Sequence, residues 1–246
     1  MTLRISHALK SRFELGIYGQ RRIGRYYRPT LHNLSVSGVP IYCDLTEALG
    51  RYGVASGTPI PAGSRDNSDL NPIFPDYYDT ELNTVNALCT LIMGTRPEVV
   101  VETGVANGQS TRAMLLAMEK IGFGHLYSFD IDKRILNSVE ESLRARWSPI
   151  ILPKTKTMKH LESHVAGIKE KIGIWYHDSD HSYHWQISEF ELAKRSLTRN
   201  GFLVSDDVDG NDSFADFAKS NPDMTCTGLF DRRKVCGLAS STRDPS

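Results

Sequence analysis

From residue 98 onward, short apolar runs alternate with segments of helical spacing, and this alternation repeats five times. Five successive strand–helix units predict an α/β fold, in which a mostly parallel sheet carries helices on both faces. The predicted strands are 98–102, 125–129, 149–152, 172–177 and 201–205, and the predicted helices are 109–121, 133–145, 158–170, 183–197 and 212–219.

The end of the chain modifies this sheet. Two more strand-like runs, 224–230 and 234–239, are joined by three charged residues and predict a hairpin that adds an antiparallel strand. We therefore expect seven strands in a Rossmann-like sheet. In open sheets of this kind, ligands bind at the carboxyl ends of the strands.

The first 77 residues have a different character, because they are rich in glycine and proline and show little periodicity. We predict a cap or lid segment over 1–77, with short helices near 5–15 and 44–51. The main domain is expected over 78–240, and a disordered tail over 241–246.

The balance of charged residues and the length of the apolar runs exclude several classes of protein. The chain has 29 basic and 29 acidic residues, so we expect no nucleic-acid partner. Residues 1–34 carry seven basic side chains against Glu14 alone, and such an arm could dock on an anionic partner. No run approaches the ~18 apolar residues of a membrane span, and no signal-peptide core is present, so a cytoplasmic protein is expected. The oligomeric state stays open, with a homo-oligomer among the alternatives.

The first predicted strand runs into the sequence Glu-Thr-Gly-Val-Ala-Asn-Gly over 102–108. Glycines at 104 and 108 permit a tight strand-to-helix turn and close approach of a ligand. The spacing departs from the dinucleotide-binding pattern, since Ala106 occupies the middle glycine position. Gln109 follows Gly108, so the phosphate-binding lysine of a P-loop is absent from this turn.

Acidic residues follow three of the predicted strands. Asp130 ends the second strand and is placed to accept the hydroxyls of a ribose, whereas Asp132 has an alternative role as a helix N-cap. Asp178 ends the fourth strand, and Asp206 and Asp207 end the fifth. If those two strands are neighbours, three carboxylates converge, and a hard divalent cation such as Mg²⁺ would relieve their repulsion.

Together these motifs resemble the class I S-adenosylmethionine (SAM) dependent methyltransferases. The segments 175–183, with Asp178 and His181, and 201–207, with the Asp206–Asp207 pair, resemble the metal-dependent branch that methylates macrolide sugars and other small molecules. The resemblance covers about 78–240. It implies cofactor-binding roles for nine residues: Glu102, Thr103, Gly104, Gly108, Ser110, Thr111, Asp130, Thr157 and Asp178.

The resemblance also implies a mechanism. Asp178, Asp206 and Asp207 would hold the metal, and His181, with Asp178 as the second catalytic residue, would take the proton of the acceptor hydroxyl. A bound cation lowers the proton affinity of that hydroxyl, which then attacks the sulfonium methyl group. The partner is therefore expected to be a small-molecule hydroxyl compound, with a sugar favoured over a catechol.

Several alternatives remain. Asp206 or Asp207 could cap a turn, His181 could be a structural histidine packed by neighbouring aromatic side chains, and Asp180 could replace Asp178 as a ligand. A metal hydrolase using Asp178 and Asp180 is disfavoured by the order of its motifs. A non-catalytic SAM-binding module with a basic docking arm is the other rival.

Overall fold

The computed structural model describes residues 38–54, 80–231 and 234–241. Its centre is one eight-stranded sheet with the order β1-β7-β8-β6-β5-β2-β3-β4, in which β8 alone runs against the other strands. The strands are β1 (Ile41–Tyr42), β2 (Val99–Thr103), β3 (His125–Asp130), β4 (Trp147–Ile151), β5 (Ile172–His177), β6 (Leu197–Ser205), β7 (Thr225–Asp231) and β8 (Lys234–Ser240).

Helices cover both faces of the sheet, as the alternation predicts. Successive residues of β2 point to opposite faces, so Val100 lies in one apolar core and Val101 in the other. One core also receives Met114, and the other receives Phe190. The helices are α1 (Leu45–Gly50), α2 (Leu82–Thr95), α3 (Gln109–Ile121), α4 (Thr157–Ala166), α5 (Tyr183–Ser196) and α6 (Ser213–Ser220).

The sequence prediction of one helix over 133–145 is wrong. Two 3₁₀ helices, Lys133–Asn137 and Glu141–Arg146, occupy this stretch. The Ser138 hydroxyl donates to the carbonyl of Ile135 at 2.7 Å, and such local side-chain bonds compete with a continuous α-helix.

The eighth strand was not predicted. It comes from β1, within the segment predicted as a cap, and it pairs with β7 in parallel. The side chain of Leu49 in α1 is fully buried, and the Tyr52 hydroxyl donates to the carbonyl of Leu238 at 2.8 Å. Residues 38–54 therefore pack against the sheet. The helix predicted over 5–15 lies outside the described residues, as does the tail predicted over 241–246 apart from its first residue.

Among the described residues, none of the helices is both long and apolar enough to cross a membrane. All four cysteines have free thiols.

Candidate active site

The four strands that carry the predicted site residues are neighbours in the sheet. The order β6-β5-β2-β3 places their carboxyl ends side by side, because these strands are parallel. The predicted convergence of Asp178 with Asp206 and Asp207 is therefore confirmed for the backbone, and the turn after β2 lies beside it.

The turn after β2 is wedged against the loop after β5. Gly104 has a φ of +83°, and a Cβ at this position would lie 2.0 Å from the carbonyl oxygen of Asp178. The amide of Gly104 donates to Phe129 at 2.9 Å, and the amide of Asp178 donates to Thr103 at 2.8 Å. Only glycine fits this approach, so the glycine turn and the Asp178 loop form one rigid unit.

Glu102 supports the turn from inside the protein. Its buried carboxylate accepts hydrogen bonds from the hydroxyls of Ser110 at 2.7 Å, Thr111 at 2.7 Å and Ser128 at 2.6 Å. Burial raises the pKa of Glu102 to about 7. The side chains of Glu102, Ser110 and Thr111 thus bond to one another, and the cofactor contacts implied for them stay a prediction.

Two further residues of the turn also have protein partners. The Thr103 hydroxyl donates to Glu189 on the other face of the sheet. Gly108 has a φ of +75°, and a Cβ there would lie 2.7 Å from the Ser138 hydroxyl oxygen. Both residues therefore shape the turn, whatever else they contact.

Asp130 lies beside the turn at the end of β3. Its two carboxylate oxygens accept from the amides of Val105 at 3.0 Å and Asp132 at 2.9 Å. Each oxygen retains a second lone pair for an external donor. The alternative role of Asp132 as an N-cap is confirmed, because its side chain accepts from the amide of Arg134 at 2.9 Å.

Thr157 begins α4, after the neighbouring strand β4. Its hydroxyl donates to the carbonyl of Pro153 at 2.8 Å. This bond fixes the first turn of the helix, and the adenine contact implied near this position stays a prediction.

Asp178 and His181 face each other across the loop after β5. The Nε2 atom of His181 lies 3.5 Å from Asp178 Oδ1 and 3.9 Å from Asp207 Oδ2. The other oxygen of Asp178 accepts from the Tyr176 hydroxyl at 3.0 Å. Asp180 is exposed and accepts from the amide of Ser182 at 2.8 Å, so it takes no part in this group.

These neighbours set the protonation of the pair. Burial alone would raise the pKa of Asp178, but the hydrogen bond and charge of His181 outweigh it and hold that pKa below its ordinary value. Burial alone would lower the pKa of His181, but Asp178 and the charge of Asp207 raise it to about 9. His181 is therefore an imidazolium at neutral pH and becomes a base in alkaline solution.

Two charged residues that the sequence analysis missed complete the group. The Nζ atom of Lys234 lies 3.1 Å from Asp207 Oδ1, 3.3 Å from Asp206 Oδ2 and 3.5 Å from Glu81 Oε2. Lys234 begins β8, and the predicted hairpin already places that residue at the carboxyl end of β6. Glu81 precedes α2 and carried no comparable signal.

The carboxylates do not fit the predicted divalent-cation site. Lys234 already places an ammonium among Asp206, Asp207 and Glu81, where the metal was expected. Across 38–54, 80–231 and 234–241, no group of three or more histidine, cysteine, aspartate or glutamate residues is arranged to hold a metal ion. Asp206 is buried, and burial together with the charge of Asp178 raises its pKa well above the ordinary value.

Asp207 carries local backbone strain. Its φ of +51° lies in the left-handed region, which residues other than glycine seldom occupy. Strain of this kind collects at functional sites, where surrounding contacts hold it in place. Here it directs the Asp207 carboxylate toward both His181 and Lys234.

A buried polar network lies beneath the loop. Glu189 in α5 accepts from Trp175 Nε1 at 2.9 Å, Trp185 Nε1 at 2.7 Å and the Ser179 hydroxyl at 3.1 Å. Its carboxylate also lies 3.0 Å from Nδ1 of His177, and both side chains are fully buried. His177 therefore has a structural role, and Glu189 anchors the loop that carries Asp178 and His181.

Comparison with known proteins identifies the fold. Residues 101–208 match a family described as a methyltransferase domain. No curated protein sequence matches the chain. Many solved structures are similar in fold, and three that match over most of their own length are the following.

The methyltransferase PaMTH1 of Podospora anserina, solved with S-adenosylhomocysteine (SAH), is 11% identical in sequence to this chain. Its TM-score is 0.56, over 80% of this chain and 95% of its own. TomG of Streptomyces achromogenes, an O-methyltransferase involved in tomaymycin synthesis and solved with SAM, is 14% identical, with a TM-score of 0.53 over 86% and 96%. An O-methyltransferase of Bacillus cereus, solved with SAH, is 11% identical, with a TM-score of 0.50 over 79% and 87%.

Proposed function

We propose that this chain, which has the class I methyltransferase fold and a methyltransferase domain over residues 101–208, transfers the methyl group of SAM to a hydroxyl of a small molecule. The observation that carries the proposal is the contact between the glycine turn and the Asp178 loop. This contact places a turn typical of cofactor sites directly beside a histidine–aspartate pair.

The cofactor would lie over the turn after β2. Asp130 has lone pairs free for the two ribose hydroxyls, at the strand end where this fold binds a ribose. The sulfonium of SAM is cationic, and the carboxylates of Asp178 and Asp207 provide negative charge at the same edge of the sheet. TomG and PaMTH1 are described as bound to SAM and to its product S-adenosylhomocysteine (SAH), in agreement with this ligand.

Methyl transfer then requires a base and an aligned acceptor. The acceptor oxygen attacks the methyl carbon in line, the carbon–sulfur bond breaks, and the hydroxyl proton moves to the imidazole ring of His181. Asp178 and Asp207 stabilise the imidazolium that forms. SAH and the methyl ether are the products, and no metal takes part in any of these steps.

A polyhydroxylated acceptor such as a sugar suits this site better than a flat arene. The partly exposed side chains of Asp207 and His181 offer a hydrogen-bond acceptor and an ionisable base beside the turn. We favour a sugar over a catechol because the catechol type of methyltransferase, which the sequence also resembles, does not place a histidine at the position of His181. The basic segment over 1–34 lies outside the described residues and has no assigned role in this proposal.

The proposal is tested with methyl-labelled SAM and two panels of acceptors, one of glycosides and polyols and one of catechols. We expect label to enter a glycoside or polyol as a methyl ether, with one SAH formed for each label transferred. The variant His184→Gln serves as a control, because His184 is exposed on the same loop-to-helix segment. SAH binding without transfer to either panel would favour the non-catalytic module instead.

A further inference from the structure

Lys234 occupies the centre of the acidic group at the carboxyl end of β6. Its ammonium lies within 4 Å of three carboxylates from two parts of the chain, Glu81 and the adjacent pair Asp206 and Asp207. One quarter of the Lys234 side chain is exposed, against 3% of that of Asp206. The ammonium is therefore an internal counter-ion and not a solvated surface charge.

The backbone holds Lys234 in this place. Its neighbour Val235 is fully buried, and the Val235 amide donates to Asp209 Oδ1 at 3.1 Å. The amide of Val208 donates to the Val235 carbonyl at 3.1 Å. These bonds fix the start of β8 to the loop after β6, so the Lys234 side chain projects from a rigid position.

A divalent cation would compete with this ammonium for the same oxygens. Ligands such as Asp206 Oδ2 and Asp207 Oδ1 already face Nζ at 3.3 Å and 3.1 Å. A metal on those oxygens would lie within a few ångströms of a fixed positive charge, where like charges repel strongly. The three N–H groups of the ammonium match the three surrounding carboxylates in number.

We infer that Lys234 takes the place of a divalent cation at this site, so that the carboxylates bind no metal and methyl transfer needs none. The second clause rests on the proposed function, whereas the first does not. Lys234 acts as a positioning residue here, because its ammonium holds the carboxylates of Asp206 and Asp207.

Mn²⁺ binding tests the inference directly, since electron paramagnetic resonance reports the loss of free Mn²⁺. We expect the wild-type chain to bind no Mn²⁺ at this site. Lys234→Met removes the charge but keeps most of the side-chain length, and it should create one Mn²⁺ site per chain where the wild type has none. Lys219→Met is the matched control, because Lys219 is half-exposed in α6, and it should behave like the wild type.

Measurements of methyl-transfer turnover test the inference independently of Mn²⁺ binding. Wild-type turnover is expected to be equal in EDTA and in Mg²⁺. One Mn²⁺ per wild-type chain, lost in Asp207→Asn, would overturn the inference, and so would a folded Lys234→Met variant that gains no site. The wild-type titration is informative even if the variant fails to fold. The titration also needs no acceptor, so it tests metal binding even if no methyl transfer is found. Failure of the proposed function can therefore be distinguished from failure of this inference.

Discussion

Replacing His181 with glutamine is expected to lower kcat by about 10²–10⁴-fold, the usual contribution of a positioned general base. Glutamine keeps a polar side chain near Asp178 but cannot take the proton of the acceptor hydroxyl. SAH affinity should stay close to the wild-type value, because His181 lies beside the cofactor turn and not beneath it. Steady-state kinetics with the acceptor found in the labelling experiment measure the effect, with His184→Gln as the control.

The pH profile separates a base from a structural histidine. Because Asp178 and Asp207 raise the pKa of His181 to about 9, only a small fraction of the enzyme carries the free base at neutral pH. The wild-type kcat/KM should therefore rise with pH, about tenfold per unit, and level off near pH 9. The glutamine variant should lack this rise. A flat wild-type profile between pH 6 and 9 would argue against His181 as the base.

Replacing Glu189 with alanine is expected to cost about 3–5 kcal/mol of unfolding free energy, as measured by urea denaturation. The substitution removes the partner of buried His177 and leaves the indole N–H group of Trp175 without its acceptor. Glu162→Ala is the control, because its ion pair with Arg195 is exposed and such pairs contribute about 0–1 kcal/mol. Equal losses in the two variants would contradict the buried network.

Acid provides a second test of Glu189. Burial alone would raise its pKa, but the charge of His177 and several hydrogen bonds lower that pKa from 4.5 to about 2. A depressed carboxylate pKa stabilises the fold above the unfolded value and loses this effect as the pH falls toward the folded value. The wild type should therefore lose stability relative to Glu189→Ala between about pH 4.5 and 2. Parallel acid curves for the two proteins would show that the pKa of Glu189 is not lowered in the folded state.

Much of the fold follows from the sequence because parallel sheets have simple rules. The apolar runs before Glu102 and Asp178 are largely buried on both faces, as strands between two helical layers must be. Once the strands are parallel, their carboxyl ends meet at one edge. The placement of Asp178, His181 and Asp207 near one another was predictable for that reason.

The parts that the sequence did not predict depend on individual side chains. Periodicity carries no information about Ser138, whose hydroxyl turns a predicted helix into two shorter ones. Periodicity also does not predict that the carboxylate of Glu102 accepts hydrogen bonds from three hydroxyls inside the protein. Convergent carboxylates imply a compensating cation but do not say which one, and here Lys234 provides the charge from a strand distant in sequence.

The most direct test of the central claim is a calorimetric titration with SAH, performed in EDTA and repeated with Mg²⁺. We expect each chain to bind one SAH, with the same affinity in both buffers. In Asp130→Ala the affinity should fall about 10- to 100-fold, because hydrogen bonds to a charged group contribute about 1.5–3 kcal/mol. Absence of SAH binding in both buffers would contradict the methyltransferase assignment and leave the glycine turn as a purely structural feature.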